Sequence, residues 1–398
     1  MRVLLISDYL VNFHKTWSGA EQVCDALAKS LAKEKQEIFY LCTKAGNKKQ
    51  DKVFQVPILV AGRNIFKKML LPLYIVWASL YVFYYLKKVK PDIINFLHCN
   101  YLFIPTMIAN KLFNIPTVFT FLDYYLLCPQ ANFKKGDNKI CNNPAICSGC
   151  APFMKIMESR MSRNLAKKIT GFITLTETSK KRLVSFGFKP DKIKVIYTYS
   201  IPKEFADKKA DFRPNSVLFI GSFHEHKGLR VVLYAMEQVL MEVPKAILKV
   251  VGSGSSQDQN EIKALVKTLK MEDRVVFLGQ KNSEEVLNLI LQNALVVVAE
   301  QWPSEFGPLV LVETLALGRP LVSGNLGSPP DFIKEGQNGF LAAYNNPDEY
   351  AKKMIQVLNN PLLAQKMGEN ARATGRFLFD QSYGRETLKF YQLLNQKT

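Results

Sequence analysis

Short runs of apolar residues alternate along the chain with longer stretches in which apolar positions recur at helical spacing. Continuous apolar runs are typical of parallel strands that are buried on both faces, and the longer stretches suit the helices that connect such strands. The pattern therefore predicts strands at Val3–Ile6, Ile38–Leu41, Ile93–Leu97, Thr117–Phe121, Phe172–Leu175, Lys194–Tyr197, Val217–Ile220, Ile247–Val251, Val275–Leu278, Leu295–Ala299 and Leu321–Ser323.

This strand–helix alternation occurs twice, which predicts two doubly wound α/β domains. The chain has 398 residues, a length that suits two or three domains. The stretch Ile201–Asn215 interrupts the alternation, contains Pro202 and Pro214, and is the expected linker. We therefore expect one domain at 1–200 and a second at 201–380.

One apolar stretch raises the alternative of a membrane protein. Met69–Leu86 has no charged residue over 18 positions and is flanked by lysine pairs, which meets the lower limit for a membrane-spanning helix. It contains Pro72 and Ser79, and it leads almost directly into the strand that follows Pro91. We predict a buried or interfacial helix of the first domain instead.

Charge is distributed unevenly between the two halves. Residues 1–200 hold 30 basic and 12 acidic residues, whereas residues 201–398 hold 23 and 22, for a net charge of +19 overall. A field of that size attracts polyanions such as nucleic acid, acidic lipid or a phosphorylated substrate. Within the first half, Met154–Ile169 combines an apolar helical stripe of Met157, Met161 and Leu165 with five basic residues. Such a helix suits either an anionic membrane surface or a solvated face.

The segment after the strand Leu295–Ala299 is the most informative for chemistry. Pro308 suits the first position of a helix and Gly318 its end. We therefore expect backbone N–H groups from Gly307 to Val310 to form an anion site at the helix N-terminus, where a diphosphate could bind.

Two glutamates frame this expected helix N-terminus. Glu305 precedes the helix and can face a sugar, and Glu313 lies inside it. The two oxygens of the Glu313 carboxylate suit the two hydroxyls of a ribose. A capped helix with two solvated glutamates fits the same pattern.

This segment resembles the signature of the retaining family-4 glycosyltransferases, in which two glutamates are separated by seven residues in a Pro-Ser-Glu-x-Phe-Gly setting. Further matches follow in order along nearly the whole chain. They are Ser18-Gly19-Ala20-Glu21, Pro91-Asp92 with His98, Gly221 with Lys227-Gly228, Val251-Gly252-Ser253-Gly254, Val276–Gly279, Gly327 with Asp331, and Asn338-Gly339.

The resemblance implies the GT-B fold, in which two Rossmann-like doubly wound domains face each other across a cleft. Residues 1–200 would bind the acceptor, and residues 201–380 would bind a nucleoside diphosphate sugar. The closing helix, at about 381–398, would pack back on the first domain.

The resemblance also assigns roles within the site. Glu305 would orient the donor sugar, and Lys227 would act as a cation on the leaving diphosphate. Gly19 would let the first-domain loop approach the phosphates, although an ordinary turn glycine is an equal alternative. The expected donor-binding residues are Gly19, Gly221, Ser222, Lys227, Gly252, Gly254, Glu305, Phe306, Gly307, Pro308, Leu309, Val310 and Glu313.

Three positions depart from the family pattern. Ser222 stands where the family usually has arginine, so one phosphate contact is missing or comes from elsewhere, with Arg230 as a candidate. Leu122 stands where the family often has a histidine before the aspartate, and Asp123 becomes the third candidate catalytic residue. Asp331 replaces a common glutamate.

Four cysteines form a separate cluster. Cys128, Cys141, Cys147 and Cys150 lie within one polar segment, and the last two have the spacing of a zinc knuckle. They are candidate ligands of a structural zinc ion, and reduced thiols without metal are the alternative. The other cysteines, Cys24, Cys42 and Cys99, are expected in the core.

We therefore expect a retaining glycosyltransferase that needs no metal for transfer, since no Asp-x-Asp is placed to hold a metal diphosphate. Its expected acceptor is polyanionic or lipid-linked, as in envelope polysaccharide assembly. Its expected location is the cytoplasm, peripheral on the inner face of the membrane. A sugar-nucleotide epimerase or a phosphorylase of the same fold is the second hypothesis. A zinc-containing nucleic-acid binder is the third, but the chain has no nucleic-acid recognition motif and no such partner is expected.

Overall fold

The structure, a computed structural model, describes residues 1–11, 13–14, 19–44, 48–57, 71–128, 151, 153–197, 199, 201–208, 213–301, 307–379 and 383–396. The chain divides into two compact units. Unit 1 comprises Met1–Tyr199 and Gln381–Thr398, and unit 2 comprises Ser200–Asp380. Each is an α/β domain built on a parallel sheet.

Unit 1 contains a seven-stranded sheet in the order β3-β2-β1-β4-β5-β6-β7. Its strands are β1 (Arg2–Ile6), β2 (Glu37–Thr43), β3 (Val53–Val56), β4 (Ile93–Phe96), β5 (Thr117–Thr120), β6 (Gly171–Thr174) and β7 (Ile193–Val195). Its helices are α1 (Gly19–Lys33), α2 (Leu71–Val89), α3 (Phe103–Asn110), α4 (Phe153–Ala166), α5 (Glu177–Ser185) and the C-terminal α13 (Tyr383–Asn395).

Helices cover both faces of this sheet. The chain moves one way across the sheet through α1 and the opposite way through α2 to α5, so right-handed crossovers place α1 on one face and α2–α5 on the other. On the second face, Phe103 of α3 packs edge-on against Phe96 and Phe119 with centroids 5.1 and 5.7 Å apart. We call helices α2, α3, α4 and α5 the α2–α5 layer, and α1 with α13 the α1 layer.

Helix α13 completes the α1 layer. The Tyr383 hydroxyl donates to the Ala26 carbonyl at 2.8 Å, and Asn95 Nδ2 donates to the Tyr391 hydroxyl at 2.7 Å. A Cβ on Gly384 would lie 2.1 Å from Ser30 Oγ, so α13 approaches α1 too closely for any larger residue there. The C-terminal helix is therefore part of the core of unit 1.

Unit 2 contains a six-stranded sheet in the order β10-β9-β8-β11-β12-β13. Its strands are β8 (Arg213–Ile220), β9 (Ile247–Val251), β10 (Val275–Gly279), β11 (Asn293–Val298), β12 (Leu321–Gly324) and β13 (Phe340–Ala342). Its helices are α6 (Leu229–Glu242), α7 (Ser256–Thr268), α8 (Ser283–Leu291), α9 (Leu309–Ala316), α10 (Pro329–Phe332), α11 (Pro347–Leu358) and α12 (Pro361–Gly375).

The segment predicted as the linker is more ordered than its composition suggests. Phe205 is fully buried, and Arg213 already begins β8. The Arg372 guanidinium donates to the carbonyls of Ala206 at 2.5 Å and Lys208 at 3.0 Å. Arg372 of α12 therefore fixes the backbone at Ala206 and Lys208, near the start of unit 2.

Every predicted strand is present, with ends that shift by a few residues. The sequence patterns missed β3 and β13, which are short edge strands. Most of the apolar stretch Met69–Leu86 lies in α2, whose Tyr74 and Val82 are buried in unit 1. Across the described ranges, no helix combines the length and hydropathy that crossing a bilayer requires.

Candidate functional site

Each sheet has one point where the chain reverses the direction in which it adds strands. In unit 1 this point lies between β1 and β4, and in unit 2 between β8 and β11. In open parallel sheets, ligands bind outside the carboxyl ends of the strands at such points. The predicted site residues of the described chain cluster at these two places.

In unit 2, two glycines let the backbone close tightly around the switch point. Gly252 has φ +130°, and a Cβ there would lie 1.9 Å from the Gly221 carbonyl oxygen. Gly228 has φ +75°, and a Cβ there would lie 1.9 Å from the Ala299 carbonyl oxygen. Neither position accepts a side chain, so the loops after β8, β9 and β11 are held together by backbone contact.

Lys227 is held by a carboxylate that the sequence analysis did not single out. Its Nζ lies 2.6 Å from Glu300 Oε1, and the Glu300 side chain is only 8% exposed. Glu300 follows β11 directly and therefore lies at the same sheet edge as the Lys227 loop. An ammonium has three N–H donors, a chemistry that suits both a carboxylate and a phosphate.

The N-terminus of α9 offers fewer backbone N–H groups to an anion than the sequence predicts. The Gly307 N–H donates to Ser328 Oγ at 2.9 Å, and Pro308 has no N–H. The helix begins at Leu309, with Pro308 one position before it rather than inside it. The expectation that the Gly307 N–H is available to an anion is therefore wrong, and the N–H groups of Leu309 and Val310 remain as donors at the start of the helix.

The structure describes one of the two signature glutamates, Glu313. Glu313 is buried within α9, at 4% exposure. Glu305 and Phe306 lie outside the described residues. The carboxylate that would bind the ribose hydroxyls, that of Glu313, is therefore buried.

Arg230, the suggested replacement for the missing arginine at Ser222, is engaged elsewhere. Its guanidinium forms an ion pair with Glu261 of α7, and both side chains are more than two-fifths exposed. Asn338, one of the family matches, donates through Nδ2 to Phe332 O and Thr374 Oγ1, both at 2.9 Å. Asn338 therefore organises the loop before β13.

In unit 1, Asp8 closes the end of β1. Its Oδ2 accepts the N–H groups of Asn100 at 2.5 Å and Tyr101 at 3.0 Å. Burial raises the pKa of Asp8 to about 6, against the opposing effects of His98 and these backbone donors. The other oxygen, Oδ1, and the nearby Asn100 Oδ1 are buried and have no hydrogen-bond partner within the described part of the chain.

His98 lies between two carboxylates. Its Nδ1 is 2.7 Å from Glu21 Oε1, and its Nε2 is 3.6 Å from Asp123 Oδ2. Burial alone would lower the pKa of His98, but the hydrogen bond to Glu21 and the charges of Asp123, Glu21 and Asp8 outweigh it and raise the pKa to about 9. At neutral pH the imidazole is therefore a cation, which positions Asp123 and cannot act as a base.

Asp123 is the accessible member of this cluster. Its side chain is 33% exposed, and Oδ1 accepts the Tyr125 N–H at 2.9 Å. Leu122, where the family often has histidine, packs against the core of the α1 layer. The sequence departure therefore leaves Asp123 as the exposed carboxylate at the switch point of unit 1.

The candidate zinc ligands are mostly beyond what the structure describes. Cys128 is buried, and Cys141, Cys147 and Cys150 lie outside the described residues, as does Ser18 before Gly19. Cys24, Cys42 and Cys99 are buried in unit 1, which confirms their predicted place in the core.

Asp8 and Glu300 were missed by the sequence analysis, yet a simple signal marks both. Each is the first charged residue after a buried strand, as are His98 and Asp123 after β4 and β5. Because such positions fall at the carboxyl edge of a parallel sheet, this rule would have found four of the clustered side chains.

Comparisons with protein families match both halves of the chain. The family described as "Glycosyltransferase Family 4" matches residues 17–198, and that described as "Glycosyl transferases group 1" matches residues 200–374. An uncharacterized glycosyltransferase of Haemophilus influenzae is 30% identical over 239 residues, covering 58% of this chain and 63% of that protein. The N-acetyl-alpha-D-glucosaminyl L-malate synthase of Bacillus anthracis is 32% identical over 156 residues, covering 39% of each. The matched part thus spans less than two thirds of either relative.

Solved structures share the fold over nearly the full length. Sucrose-phosphate synthase from Thermosynechococcus elongatus aligns with a TM-score of 0.75 and 18% identity, covering 100% of both chains. Anabaena HepE, solved in complex with UDP-glucose, aligns with a TM-score of 0.73 and 17% identity, covering 98% of this chain and 99% of that one. The chain, with its two Rossmann-like units, therefore has the fold called GT-B.

Proposed function

Because the chain belongs to the family-4 glycosyltransferases, we propose that it transfers a sugar from a nucleoside diphosphate sugar to an acceptor hydroxyl with retention of anomeric configuration. The observation that carries this proposal is the grouping of Lys227, Glu300 and the N-terminus of α9 around the switch point of unit 2. A cation and helix-opening N–H groups together suit a diphosphate.

The proposed donor is a nucleoside diphosphate sugar. Lys227 would neutralise the leaving diphosphate while Glu300 keeps its ammonium in place. Glu313 would hold the ribose, and Glu305 would steady positive charge at the anomeric carbon. The structural relative HepE binds UDP-glucose, which supports a donor of this class.

The proposed reaction proceeds on one face of the sugar. The bond from the anomeric carbon to the phosphate oxygen breaks, and the acceptor oxygen forms its bond from the same side. The acceptor proton passes to the departing phosphate oxygen, so no protein base is needed. We propose that transfer needs no divalent cation, because Lys227 and α9 supply the positive charge.

The proposed acceptor is lipid-linked or polyanionic, at the inner surface of a membrane during envelope polysaccharide assembly. The positive charge of residues 1–200 supports this location. The partly exposed Asp123 is the group at the switch point of unit 1 that we propose for binding acceptor hydroxyls.

A panel of nucleotide sugars in a thermal-shift assay tests the donor, because a ligand that binds only the folded state raises its stability. We expect one nucleoside diphosphate sugar to raise Tm in a concentration-dependent manner. NMR of the product formed with a membrane lipid extract then reads the anomeric configuration. Stabilisation by no nucleotide would overturn the proposal, and conversion of the donor without acceptor would favour an epimerase instead. Retardation of nucleic acid in a gel would favour the nucleic-acid binder.

A further inference from the structure

Helix α2 is apolar on two opposite faces, and only one is covered. The covered face consists of residues at four-residue intervals, namely Tyr74, Ala78, Val82 and Leu86. The opposite face is exposed and consists of Leu73 at 67%, Val76 at 62%, Leu80 at 64% and Tyr84 at 59% exposure. At 1.5 Å per residue this exposed stripe is about 16 Å long.

The polar groups of α2 are compatible with apolar surroundings. The Ser79 hydroxyl donates to the Ile75 carbonyl at 2.6 Å, so it needs no water. The helix has no acidic residue, and Lys87 and Lys88 lie in its last turn. An apolar stripe that ends in tyrosine and lysines matches the order of groups at a membrane interface, from acyl chains to anionic headgroups.

The helices on the same side of the sheet as α2 carry an excess of positive charge. The helices of the α2–α5 layer carry eight basic and two acidic residues. The two helices of the α1 layer carry four basic and three acidic residues. Among the helices of unit 1, the excess of basic over acidic residues therefore lies on the α2–α5 layer.

Further exposed apolar side chains lie on this layer. They are Leu112 after α3, Met157 and Met161 on α4, and Val184 on α5. In the described helices of the α1 layer, Leu393 is the one large apolar side chain that is exposed. The α2–α5 layer thus combines exposed apolar groups with excess positive charge.

A cavity of about 710 Å³ opens between α4 and α5. Phe172 and Phe188 line it, with ring centroids 4.9 Å apart, and no carboxylate is among the lining residues that the structure describes. Its basic lining residues are Arg160, Arg163, Lys167, Lys189 and Lys192. Cations around an apolar floor suit a phosphate group that carries an apolar chain.

We propose that the α2–α5 layer of unit 1 docks on an anionic lipid bilayer, with the exposed stripe of α2 in the headgroup–acyl boundary and lipid phosphates in the cavity between α4 and α5. The proposal deepens the proposed function and rests on it for the location of the acceptor. Charge decides the occupant, because a second copy of the chain meeting this layer would oppose like charges.

The single tryptophan of α2, Trp77, reports on this contact. The chain has three tryptophans, so Trp17→Phe with Trp302→Phe leaves Trp77 as the only emitter. We expect vesicles of phosphatidylcholine and phosphatidylglycerol with brominated acyl chains to quench Trp77. Vesicle binding without quenching would overturn the placement of α2.

Cosedimentation with the same vesicles tests the face. Lys87→Glu with Lys88→Glu should weaken binding by more than about tenfold, since each cation near such a surface contributes about fivefold. Leu73→Ser, Val76→Ser and Leu80→Ser together should weaken it comparably while leaving the charge unchanged. The matched controls Lys33→Glu with Lys389→Glu, and Leu393→Ser, change the α1 layer and should have little effect.

Three outcomes would overturn the proposal. The first is an equal loss of vesicle binding in the variants of the α2–α5 layer and of the α1 layer. The second is vesicle binding that the three serine substitutions in the α2 stripe leave unchanged. The third is a dimer in sedimentation experiments that dissociates when these serine substitutions are made. The nucleotide thermal shift is measured on the same proteins without vesicles. If the unmutated protein fails to bind the vesicles but keeps its nucleotide shift, the docking alone is contradicted. If it binds the vesicles but shows no nucleotide shift, the proposed function alone is contradicted.

Discussion

Lys227 and Glu300 form an ion pair at the carboxyl edge of the unit 2 sheet, with the carboxylate far more buried than the ammonium. This asymmetry means that Glu300 depends on Lys227 for charge compensation more than the reverse. The lysine has access to solvent and can change partners when an anion arrives, whereas the carboxylate remains in place.

Removing the ammonium should therefore affect both stability and donor binding. Lys227→Ala leaves a buried carboxylate without its cation, and loss of such a charged hydrogen bond costs about 1.5–3 kcal/mol. We expect lower Tm, weaker donor binding and lower kcat, and little rescue by Lys227→Arg. Arg230→Ala, which removes a neighbouring exposed cation, is the control. Normal donor affinity in Lys227→Ala would place the phosphate contact elsewhere.

The two signature glutamates should separate into kcat and affinity effects. We expect Glu305→Ala to lower kcat strongly, because the proposed role of its carboxylate is to steady positive charge at the anomeric carbon. Glu313→Gln keeps the buried shape and should act mainly on donor affinity, by about 1.5–3 kcal/mol. Steady-state kinetics and calorimetric donor binding distinguish the two. Wild-type values in both variants would contradict the assignment.

His98 should make the stability of unit 1 depend on pH. Its folded-state pKa is raised from 6.5 to about 9, so its contribution is complete below pH 6.5 and is lost as pH rises through 9. The pKa of Asp8 is also raised, from 3.8 to about 6, so its contribution to stability is lost as pH rises from about 3.8 to 6. That range lies below the range in which His98 titrates. The difference in unfolding free energy between wild type and His98→Gln should therefore shrink from pH 6.5 to 9.5. The exposed His224→Gln serves as control, and a constant difference for His98→Gln would show that the imidazole is not held as a cation.

The cysteine segment should carry metal. Purified protein is expected to contain about one zinc ion per chain, the stoichiometry of a closed four-thiolate site. Elemental analysis should show its loss in Cys147→Ser and its retention in Cys42→Ala, which changes a core thiol. Protein that is metal-free, stable and active would support the alternative of reduced thiols.

The sequence predicts most strands and their order along the chain, but it does not predict every element. Buried parallel strands such as β11 have continuous apolar runs, and so they are visible in the pattern. The edge strand β3 contains Gln55, is only four residues long, and owes its conformation to pairing with β2. Short edge strands have too few residues to show a period.

Site residues that belong to a local sequence motif could be predicted from the sequence. Contacts between residues that are far apart in the chain could not, because they depend on packing. Gly252 and Gly228 are visible as glycines after strands. That the Gly307 N–H is used by Ser328, 21 positions later, follows only from the fold. The pairing of Lys227 with Glu300, separated by 73 positions, is equally invisible before the sheet brings them together.

The place of α13 in unit 1 has a consequence for synthesis on the ribosome. Unit 2 is a continuous segment and is complete in the chain before α13 emerges, whereas the α1 layer lacks a helix until then. Nascent unit 1 thus exposes Cys24, Leu27 and the floor around Gly171 throughout the translation of unit 2. We therefore expect this apolar surface to stay uncovered during elongation of unit 2, and the Asn95–Tyr391 hydrogen bond to form only after unit 2 has been synthesised.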